Sequence, residues 1–559
     1  MGDAAGGASN VTLSPRFGGK RAIAKERQHH GVTIARGMGN RRHYALVFLL
    51  AVAAHATALR GGFVWLDHAH IEDGLALARP GAWTALFERG FAGTGFYRPL
   101  MALSLSFDAM VTTHAWIFHL TNVLWHACAA VLTTMAGASL GVSRRAAIGA
   151  GIVFAVHPLS SLVASSVAFR SEAMIATALL ALIVLHRRRH PAAGLALLFG
   201  ALTKETAIVL GPLFIAALEI DGEKPRPPWR ERVALWASEA GALAVALGLR
   251  FAFAPAWRAS LPALSTSEAL GTRFAALAKS AVRVVVPFDT SVCDAFPITP
   301  AAHVTALLGF GVMCALGYLA YRRRGPALLL ALAVIPSLQV VPVMRWWSPH
   351  YLYVPLAFAA MLAAEWVVVQ KNTFQRGALA AATLAGALAF ATDLRFENDA
   401  TLWTDEARTD PSCREAHFYL GEVAREERRF DDAARAYERA VAVTPGVLSY
   451  VDRVPALQNL GVVRLEQGRF TDASRAFRAA LDVTADESKR RLLLHNLATA
   501  ELRAGNAEEA ARLLETEVAR SDALEASIFI RARAVETLGR VDEARALLRR
   551  LQARRPSAR

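Results

Sequence analysis

Long apolar runs alternate with short charged segments between about residue 43 and residue 392. A helix that crosses the hydrocarbon core of a membrane needs about 20 apolar residues, and fewer where neighbouring helices cover it. The runs predict an all-α, polytopic bundle of about eleven spans, near residues 43–60, 115–137, 146–166, 172–186, 191–203, 206–220, 233–254, 302–321, 326–344, 351–369 and 377–394. The sequence after residue 394 has ordinary soluble character, so we expect one membrane domain followed by one soluble domain.

Charged residues between these runs indicate the orientation of the spans, because basic loops favour the cytoplasmic side of a membrane. If the basic N-terminus is inside, every basic run falls inside. These runs are Arg144–Arg145, Arg187–Arg189, 224–232, Arg322–Arg324 and 371–376. The charges beside the other span ends then fall outside, and orientation does not explain them. They are Asp67, Glu72, Asp73, Arg170, Glu172, Lys204, Glu205 and Arg345.

This orientation divides the chain into three parts. We expect residues 1–42 to be a disordered, basic cytoplasmic tail that ends in a signal anchor rather than a cleaved signal peptide. Residues 43–394 form the transmembrane domain, with an outer loop at 61–114, and residues 395–559 form an extracytoplasmic domain. The Ala- and Arg-rich composition favours the cytoplasmic (inner) membrane of a bacterium.

Composition supports a membrane protein and argues against other classes. Of the 559 residues, 54% are hydrophobic and only 19% are charged, which is less polar than a soluble protein of this length. The net charge of +15 is spread over the short basic runs, so nucleic-acid binding is not predicted. The four cysteines lack any metal-site spacing, and we expect them to be free or buried, with a Cys293–Cys413 disulfide as an alternative.

Internal repeats characterise the C-terminal domain. Leu420-Gly421 and Leu460-Gly461 begin two similar segments, and small residues recur at Ala433, Ala473, Ala510 and Ala544, with spacings of 40, 37 and 34 positions. The last spacing is the period of the tetratricopeptide repeat, and the longer ones imply insertions. Such repeats stack pairs of helices into an α-solenoid with a concave surface, so we expect binding of a peptide or a partner protein. A purely structural cap is the alternative.

Acidic residues and histidines follow the first span directly, in the stretch Phe63–Gly74. Asp67 and Glu72 suit a helix cap equally well, because acids favour helix N-termini. Arg98 lies later in the same outer loop, where it could bind a phosphate or the headgroups of lipids. Uncompensated charge at a membrane edge is costly, which makes these residues functional candidates.

Further polar residues lie at the ends of other predicted spans. Most have a structural alternative: a lone histidine or an Arg–Glu pair is often structural, and aromatic residues often form an interfacial belt. Aromatic rings can also stack on a sugar. The residues are His157, Arg170, Glu172, Lys204, Glu205, Arg345, Trp346, His350 and Tyr351.

Acids on an outer loop with cations on neighbouring outer turns suit transfer of a sugar from a lipid phosphate. A carboxylate can deprotonate an acceptor hydroxyl, and cations can stabilise a leaving phosphate. We predict Asp67 and Glu72 as catalytic residues. The predicted donor-phosphate ligands are Arg98, Arg170, Lys204 and Arg345, and the predicted pocket residues are His157, Glu172, Glu205, Trp346, His350 and Tyr351. No metal ligands are predicted, and a divalent metal requirement is left open.

Several short motifs follow one another in a fixed order: Phe63-Val-Trp-x-Asp67 with Ile71-Glu72, Tyr97-Arg98-Pro99-Leu100, His157-Pro158 with Arg170-x-Glu172, Lys204-Glu205, and His350-Tyr351-Leu352-Tyr353. The order of these motifs over residues 43–550 resembles the transmembrane and tetratricopeptide repeat protein O-mannosyltransferases and their bacterial relatives, of the GT-C superfamily. The resemblance implies a GT-C-type fold, a polyprenyl-phosphate sugar donor, commonly mannose, and inverting transfer to a hydroxyl with Asp67 as the general base.

Two positions depart from the family pattern. Leu66 precedes Asp67 where the family often has two adjacent acids, so Glu72 is our substitute for the second acid. His350 occupies a position that is often arginine in animal members. The leading hypothesis is a membrane glycosyltransferase whose partners are a lipid-linked donor and a protein or glycan acceptor. The alternatives are a non-catalytic membrane-anchored repeat scaffold and, less favoured, a transporter.

Overall fold

The chain is folded almost entirely into helices in the computed structural model, which describes residues 41–78, 81–221, 229–254, 264–339 and 345–554. The predicted tail up to residue 40, part of one predicted inner loop and the end of the ninth predicted span lie outside these ranges. The helices of the membrane part are residues 41–54 (α1), Pro99–Val111 (α2), Ala115–Ser139 (α3), Arg144–Val156 (α4), Ser161–Ser165 (α5), Arg170–Arg187 (α6), Ala192–Thr203 (α7), Thr206–Ile220 (α8), Trp229–Phe253 (α9), Thr266–Val285 (α10), Val304–Arg323 (α11), Gly325–Ala333 (α12), Tyr353–Val368 (α13) and Asn372–Asp393 (α14).

Within the described residues, six helical segments are long and apolar enough to cross a membrane: Ala115–Ser139, Val167–Arg187, Arg232–Phe253, Val304–Arg323, Pro349–Val368 and Asn372–Glu397. A bent pair, Arg144–Val156 with Pro158–Ser165, makes a seventh if it counts as one span. Shorter apolar helices are Pro99–Val111, Ala192–Thr203, Thr206–Ile220 and Gly325–Leu338. The all-α class and the polytopic pattern are therefore confirmed, whereas the number eleven stays a prediction.

Helix α6 lies at the centre of the bundle. In the most apolar 18-residue segment of this helix, 89% of the residues are buried, whereas the corresponding segments of α11 and α14 are only 11% and 17% buried. Large apolar side chains on these two peripheral helices, such as Leu307 and Leu384, are exposed. A helix that is apolar on its exposed side is suited to face lipid.

A proline separates α4 from α5. Pro158 cannot donate a backbone hydrogen bond, so the regular helix ends at Val156 and the two halves meet at 52°. His157 satisfies nearby groups: its Nδ1 accepts the N–H of Leu159 at 3.2 Å, and its Nε2 donates to the carbonyl of Val284 at 3.1 Å. This histidine therefore caps the break and joins it to α10, a helix that was not predicted.

Several loops that were predicted to be internal meet at one end of the bundle. Arg187 pairs with Asp221 at 2.7 Å, and Arg324 donates to the carbonyl of Ile220 at 3.4 Å. Arg144 contacts His43 at 3.4 Å at the start of α1. Basic side chains thus share this end with the start of the first helix, as the charge pattern predicted.

The C-terminal helices stack as antiparallel pairs. They are Asp399–Thr409 (α15), Arg414–Glu426 (α16), Phe430–Val441 (α17), Arg453–Glu466 (α18), Phe470–Val483 (α19), Glu487–Arg503 (α20), Ala507–Leu513 (α21), Glu515–Ala519 (α22), Glu525–Thr537 (α23) and Val541–Arg554 (α24). Glycine allows the closest approaches: a Cβ on Gly421 would lie 2.7 Å from the Tyr437 ring, and one on Gly461 would lie 2.5 Å from the Phe477 ring. The small residues at the recurring Leu-Gly and Ala positions therefore allow each helix to pack closely on its partner.

Connections of several kinds hold the repeat helices against residues 286–303, which lie between α10 and α11. Cys293 and Cys413 form a disulfide with a Cα–Cα distance of 5.8 Å. Strands Phe296–Pro297 (β1) and Val447–Leu448 (β2) pair antiparallel. Glu406 accepts the backbone N–H groups of Val292 at 3.1 Å and Cys293 at 3.2 Å. The repeat domain is thus attached by far more than the chain connection at α14.

Candidate functional site

A buried ion pair between Lys204 and Glu172 forms the middle of the candidate site. Lys204 has an extended backbone (φ −156°, ψ 138°) between α7 and α8, and Glu172 lies in the first turn of α6. The two side chains are 9% and 5% exposed. Because either charge alone would be costly to bury, each depends on the other. Lys204, whose charge lies between the apolar helices α7 and α8, therefore points into a polar part of the interior.

Arg98 lies beside this pair and is held by Glu205. The guanidinium donates from Nε to Oε2 at 3.0 Å and from Nη2 to Oε1 at 2.5 Å, and it stacks 4.2 Å from the centre of the Phe96 ring. The third nitrogen, Nη1, makes no hydrogen bond to any residue that the structure describes. One edge of this arginine is therefore fixed and the other is available to a ligand.

Arg345 is held in the same way by a residue of the repeat domain. Its Nε donates to Oε2 of Glu415 at 3.0 Å and its Nη2 donates to Oε1 at 2.5 Å, while Nη1 again has no hydrogen bond within the described ranges. Its guanidinium lies 5.1 Å from the Trp65 ring and 5.0 Å from the Tyr450 ring. Although burial lowers the pKa of Arg345, the Glu415 carboxylate raises it above its ordinary value.

His350 and Tyr351 connect these ion pairs. His350 Nε2 lies 3.7 Å from Oε1 of Glu172, and its Nδ1 shares a 2.6 Å hydrogen bond with the Ser348 hydroxyl. The Tyr351 hydroxyl donates to the backbone carbonyl of Arg345 at 3.0 Å. We call the connected set the charged cluster; it consists of Arg98, Glu205, Lys204, Glu172, His350, Tyr351, Arg345 and Glu415.

Asp67 lies on the first outer loop and is completely buried. Its Oδ1 accepts the N–H of Ala168 at 2.6 Å, and its Oδ2 accepts the N–H groups of Val167 at 3.2 Å and Val64 at 3.4 Å. Burial raises the pKa of Asp67 to about 7, although these N–H groups oppose the shift. The Ser166 hydroxyl also donates to Oδ1 at 3.4 Å. In this conformation the carboxylate joins the outer loop to the start of the central span and is enclosed by these donors, so its role as a base toward an acceptor stays a prediction.

Glu72 is exposed and pairs with His68 on a single π-helical turn, His68–Glu72. The second ring nitrogen of His68 bonds to Oδ2 of Asp399, at the start of α15, at 2.8 Å. The hydrogen bond with Asp399 raises the pKa of His68 to about 9, against the opposing effect of burial. A positively charged imidazole thus bridges the outer loop to the repeat domain, and Glu72 lies on its solvent side.

His70, which was not among the predicted site residues, lies on the same π-helical turn of the outer loop and faces Arg98 of the charged cluster. Its ring packs 5.0 Å from the Phe91 ring, over which Arg98 also stands at 5.9 Å. Its buried Nδ1 has no hydrogen-bond partner in the described part of the chain. Burial, reinforced by the charges of Arg98 and Arg345, lowers the pKa of His70 to about 4. His70 is therefore a neutral imidazole beside two cations.

Besides Asp67 and Glu72, three predicted residues lie outside the charged cluster. Arg170 is fully buried and uses its guanidinium on Asp108, Asn122, Ser104 and the Phe118 carbonyl, so it ties together α2, α3 and α6. His157 caps the proline break. Trp346 packs against α10 beneath Arg273. All three guanidinium nitrogens of Arg170 are therefore engaged inside the protein, and the Trp346 ring is buried against α10, so their predicted roles as phosphate ligand and sugar platform stay predictions.

The sequence did not reveal the residues that the repeat domain contributes. Asp399 and Glu415 lie at the starts of α15 and α16, where acids are common on any helix. Asp399 accepts the backbone N–H of Trp65 at 2.9 Å, and Glu415 accepts the Trp65 indole N–H at 3.0 Å. Their partners are more than 300 positions away along the chain, so only the fold reveals the contact.

Comparisons with known proteins agree with the repeat architecture. The family model of the tetratricopeptide repeat matches residues 400–447, 459–523 and 495–559. This confirms the predicted repeat fold of the C-terminal domain.

A similarity to one enzyme covers a smaller part of the chain. Protein O-mannosyl-transferase Tmtc2 of Drosophila melanogaster is 29% identical over 133 residues, which are 22% of this chain and 14% of that protein. The chain therefore matches only a small part of the length of this relative. The similarity agrees with the resemblance seen in the motifs, and it leaves the superfamily and the donor as proposals.

Two solved repeat structures were also found. One, of Podosopora anserina kinesin light chain repeats, covers 32% of this chain and 88% of its own length at 21% identity, with a TM-score of 0.24. The other, yeast Tom70, covers 76% of this chain and 99% of its own length at 13% identity, with a TM-score of 0.23. Scores this low support no conclusion about this chain.

Proposed function

We propose that this chain is a membrane glycosyltransferase of the GT-C type. It transfers a sugar, with mannose as the first choice, from a polyprenyl-phosphate donor to a hydroxyl of a protein or glycan acceptor, with inversion. The similarity to an O-mannosyl-transferase supports the sugar and the protein acceptor.

The observation that carries the proposal is the charged cluster itself. Arg98, Lys204 and Arg345 are each paired with a carboxylate, and each pair lies in or beside the buried part of an apolar helical bundle. Buried ion pairs add little to stability on balance, so their presence requires another reason. Cations that are fixed before a ligand arrives stabilise the charge that develops on a leaving phosphate.

The proposed chemistry uses the two free guanidinium edges. Arg98 and Arg345 donate from Nη1 to oxygens of the donor phosphate, and Lys204 adds a third positive charge. The acceptor oxygen attacks C1 of the sugar, the bond from C1 to the phosphate oxygen breaks, and the phosphate leaves with the electron pair. The hydroxyl proton passes to Asp67, whose pKa near 7 suits a general base. For this step residues 166–168 must move off the Asp67 carboxylate.

The remaining predicted residues have supporting roles in this proposal. Glu172, Glu205, His350 and Tyr351 orient the cations and line the polar space. Glu72 lies on the solvent side of the loop, where it can orient an acceptor through His68. Arg170 and His157 hold the helices that carry the cluster, and Trp346 holds α10 in place.

We place the repeat domain on the extracytoplasmic side of the inner membrane, together with the outer loops. The Cys293–Cys413 disulfide supports this placement, because disulfides persist in oxidising compartments. The contacts of Asp399 and Glu415 with residues 65–68 and 345 put the repeats at the same end of the bundle as the charged cluster. An acceptor bound by the repeats would therefore be presented close to the donor.

A non-catalytic scaffold is the second candidate function, because tetratricopeptide repeats are also found in proteins that only bind partners. Purified protein in lipid nanodiscs, incubated with radiolabelled polyprenyl-phosphate mannose and a pool of candidate acceptor peptides, separates the two. Mannose transfer is the expected result, and Arg98→Gln is expected to lower it at least tenfold. The reference variant is Arg144→Gln, on the opposite end of the bundle. Donor that binds without turnover in every acceptor pool would favour the scaffold.

A further inference from the structure

The repeat domain contributes side chains to the candidate site as well as lying next to it. Glu415 is 5% exposed and holds Arg345, which is 7% exposed, through both Nε and Nη2. A carboxylate that binds two nitrogens of a guanidinium fixes its plane. The direction of the third nitrogen, Nη1, is therefore set by a residue of α16 and not by the membrane domain.

Trp65 shows that this arrangement is shared with the outer loop. It is a non-glycine residue with a positive φ of 60°, a strained conformation that the surroundings must hold. Asp399 binds its backbone N–H and Glu415 binds its indole N–H, and its ring packs 5.1 Å from the Trp403 ring. Two repeat-domain carboxylates thus hold the segment that leads into Asp67.

We propose that the repeat domain completes the donor-phosphate site, with Glu415 as the positioning residue that directs Arg345 Nη1 at the phosphate. This inference rests on the proposed function and deepens it. The repeats then serve the membrane site directly, in addition to any partner that their concave surface binds.

The direction in which Glu415→Gln changes the affinity for phosphate distinguishes positioning of Arg345 from simple charge balance. If Glu415 only neutralised Arg345, then Glu415→Gln would leave the site more positive and would strengthen phosphate binding. If Glu415 directs the guanidinium, the same substitution lets Arg345 turn away and weakens binding. We expect the dissociation constant for farnesyl phosphate, titrated into the full-length protein in detergent micelles, to rise at least tenfold. An unchanged or lower dissociation constant overturns the proposal.

Glu406→Gln is the matched control. Glu406 is also a buried carboxylate of the repeat domain, at 1% exposure, but it binds residues 291–293 and Arg395 and does not touch Arg345. We expect this variant to bind farnesyl phosphate like the unmodified chain. An equal loss in Glu406→Gln would mean that general loosening of the interface is responsible, and it would also overturn the proposal.

A double substitution tests whether Glu415 acts through Arg345. The double variant Arg345→Gln/Glu415→Gln should bind farnesyl phosphate as tightly as Arg345→Gln alone. Once Arg345 is removed, Glu415 has no guanidinium to position. If the two effects multiply instead, Glu415 acts by another route and the proposal fails. The Cys293–Cys413 disulfide, checked on non-reducing gels, shows that the domain stays attached in every variant.

Sugar transfer measured in the same preparations tests the proposed activity separately from the phosphate site. Farnesyl phosphate binding that depends on Glu415, without any transfer from polyprenyl-phosphate mannose, supports the phosphate site and rejects the proposed activity. Transfer that persists at the unmodified rate in Glu415→Gln supports the activity and overturns the role of Glu415. Absence of farnesyl phosphate binding by the unmodified chain overturns the phosphate site.

Discussion

Asp67 Oδ1 accepts a 2.6 Å hydrogen bond from the backbone N–H of Ala168, which is 101 positions away in the sequence. The contact places the first outer loop on the segment between the broken helix and the central span. The Asp67 carboxylate therefore has two roles: it holds the outer loop in place, and it is the proposed base. These roles give different results on substitution.

Replacing Asp67 by asparagine is expected to abolish sugar transfer and to leave a folded protein. The amide can still accept one backbone N–H, but it loses the charge and part of the hydrogen bonding, which costs roughly 1–3 kcal/mol of unfolding free energy. Transfer assays and thermal unfolding of the same samples measure the two effects. Asp73→Asn, at an exposed neighbour, is the control and should change neither. Transfer by Asp67→Asn at the unmodified rate would remove Asp67 from the mechanism.

The raised pKa of Asp67 predicts a pH dependence of stability with a definite sign. Burial raises the pKa from 3.8 to about 7, so the folded protein binds a proton that the unfolded chain has released. The stabilising contribution is full below about pH 4 and is lost as the pH rises to about 7. The unfolding free energy of the unmodified chain minus that of Asp67→Asn should therefore fall across this window. Parallel curves would mean that the pKa is not raised.

The same pKa predicts how transfer depends on pH if Asp67 is the base. The rate should rise as the carboxylate loses its proton near pH 7, and it should level off above that. A rate that is already at its plateau at pH 5.5 would mean that the base is not Asp67 with this raised pKa.

Much of the fold was predictable because it is recorded in local patterns. The apolar runs, the basic loops and the Leu-Gly and Ala spacings each depend on neighbours within a few turns. In the part of the chain that the structure describes, helices lie at the apolar runs and at the repeats. The amphipathic helix α10 was missed because Arg273, Lys279 and Arg283 interrupt its apolar residues, so no membrane run is visible.

The site was only partly predictable, for a physical reason. A charge in an apolar run, such as Lys204, shows itself because burial without a partner is costly. The partner of such a charge cannot be identified from the sequence, because it lies far away along the chain. Glu172 is 32 positions from Lys204, and Glu415 is 70 positions from Arg345. Arg170 as a phosphate ligand stays a prediction, and its partners were not predictable for the same reason: Asp108 and Asn122, which bind its guanidinium, lie on helices that the sequence does not connect to it.

The disulfide gives a test of the side on which the repeats lie. Cys293 and Cys413 are bonded, whereas Cys128 and Cys314 are free. Denatured, unreduced protein from cells should therefore take up two thiol-reactive polymer tags, and reduced protein should take up four. The Cys413→Ser variant should take up three tags before reduction and lose about 2–5 kcal/mol of stability. Four tags without reduction would place the repeat domain in a reducing compartment.

The Lys204–Glu172 pair allows the structural and functional roles of buried charge to be separated. Lys204→Met alone leaves Glu172 buried without a counter-charge, which should cost about 3–5 kcal/mol of stability. Adding Glu172→Gln removes the stranded charge, so the double variant should recover most of the lost stability, because replacing a whole buried pair by neutral groups is often neutral. Thermal unfolding in nanodiscs measures both changes. If the pair is there only for folding, transfer recovers together with stability. If Lys204 stabilises the leaving phosphate, the double variant is stable and transfers sugar at least tenfold more slowly than the unmodified chain, which is the result we expect.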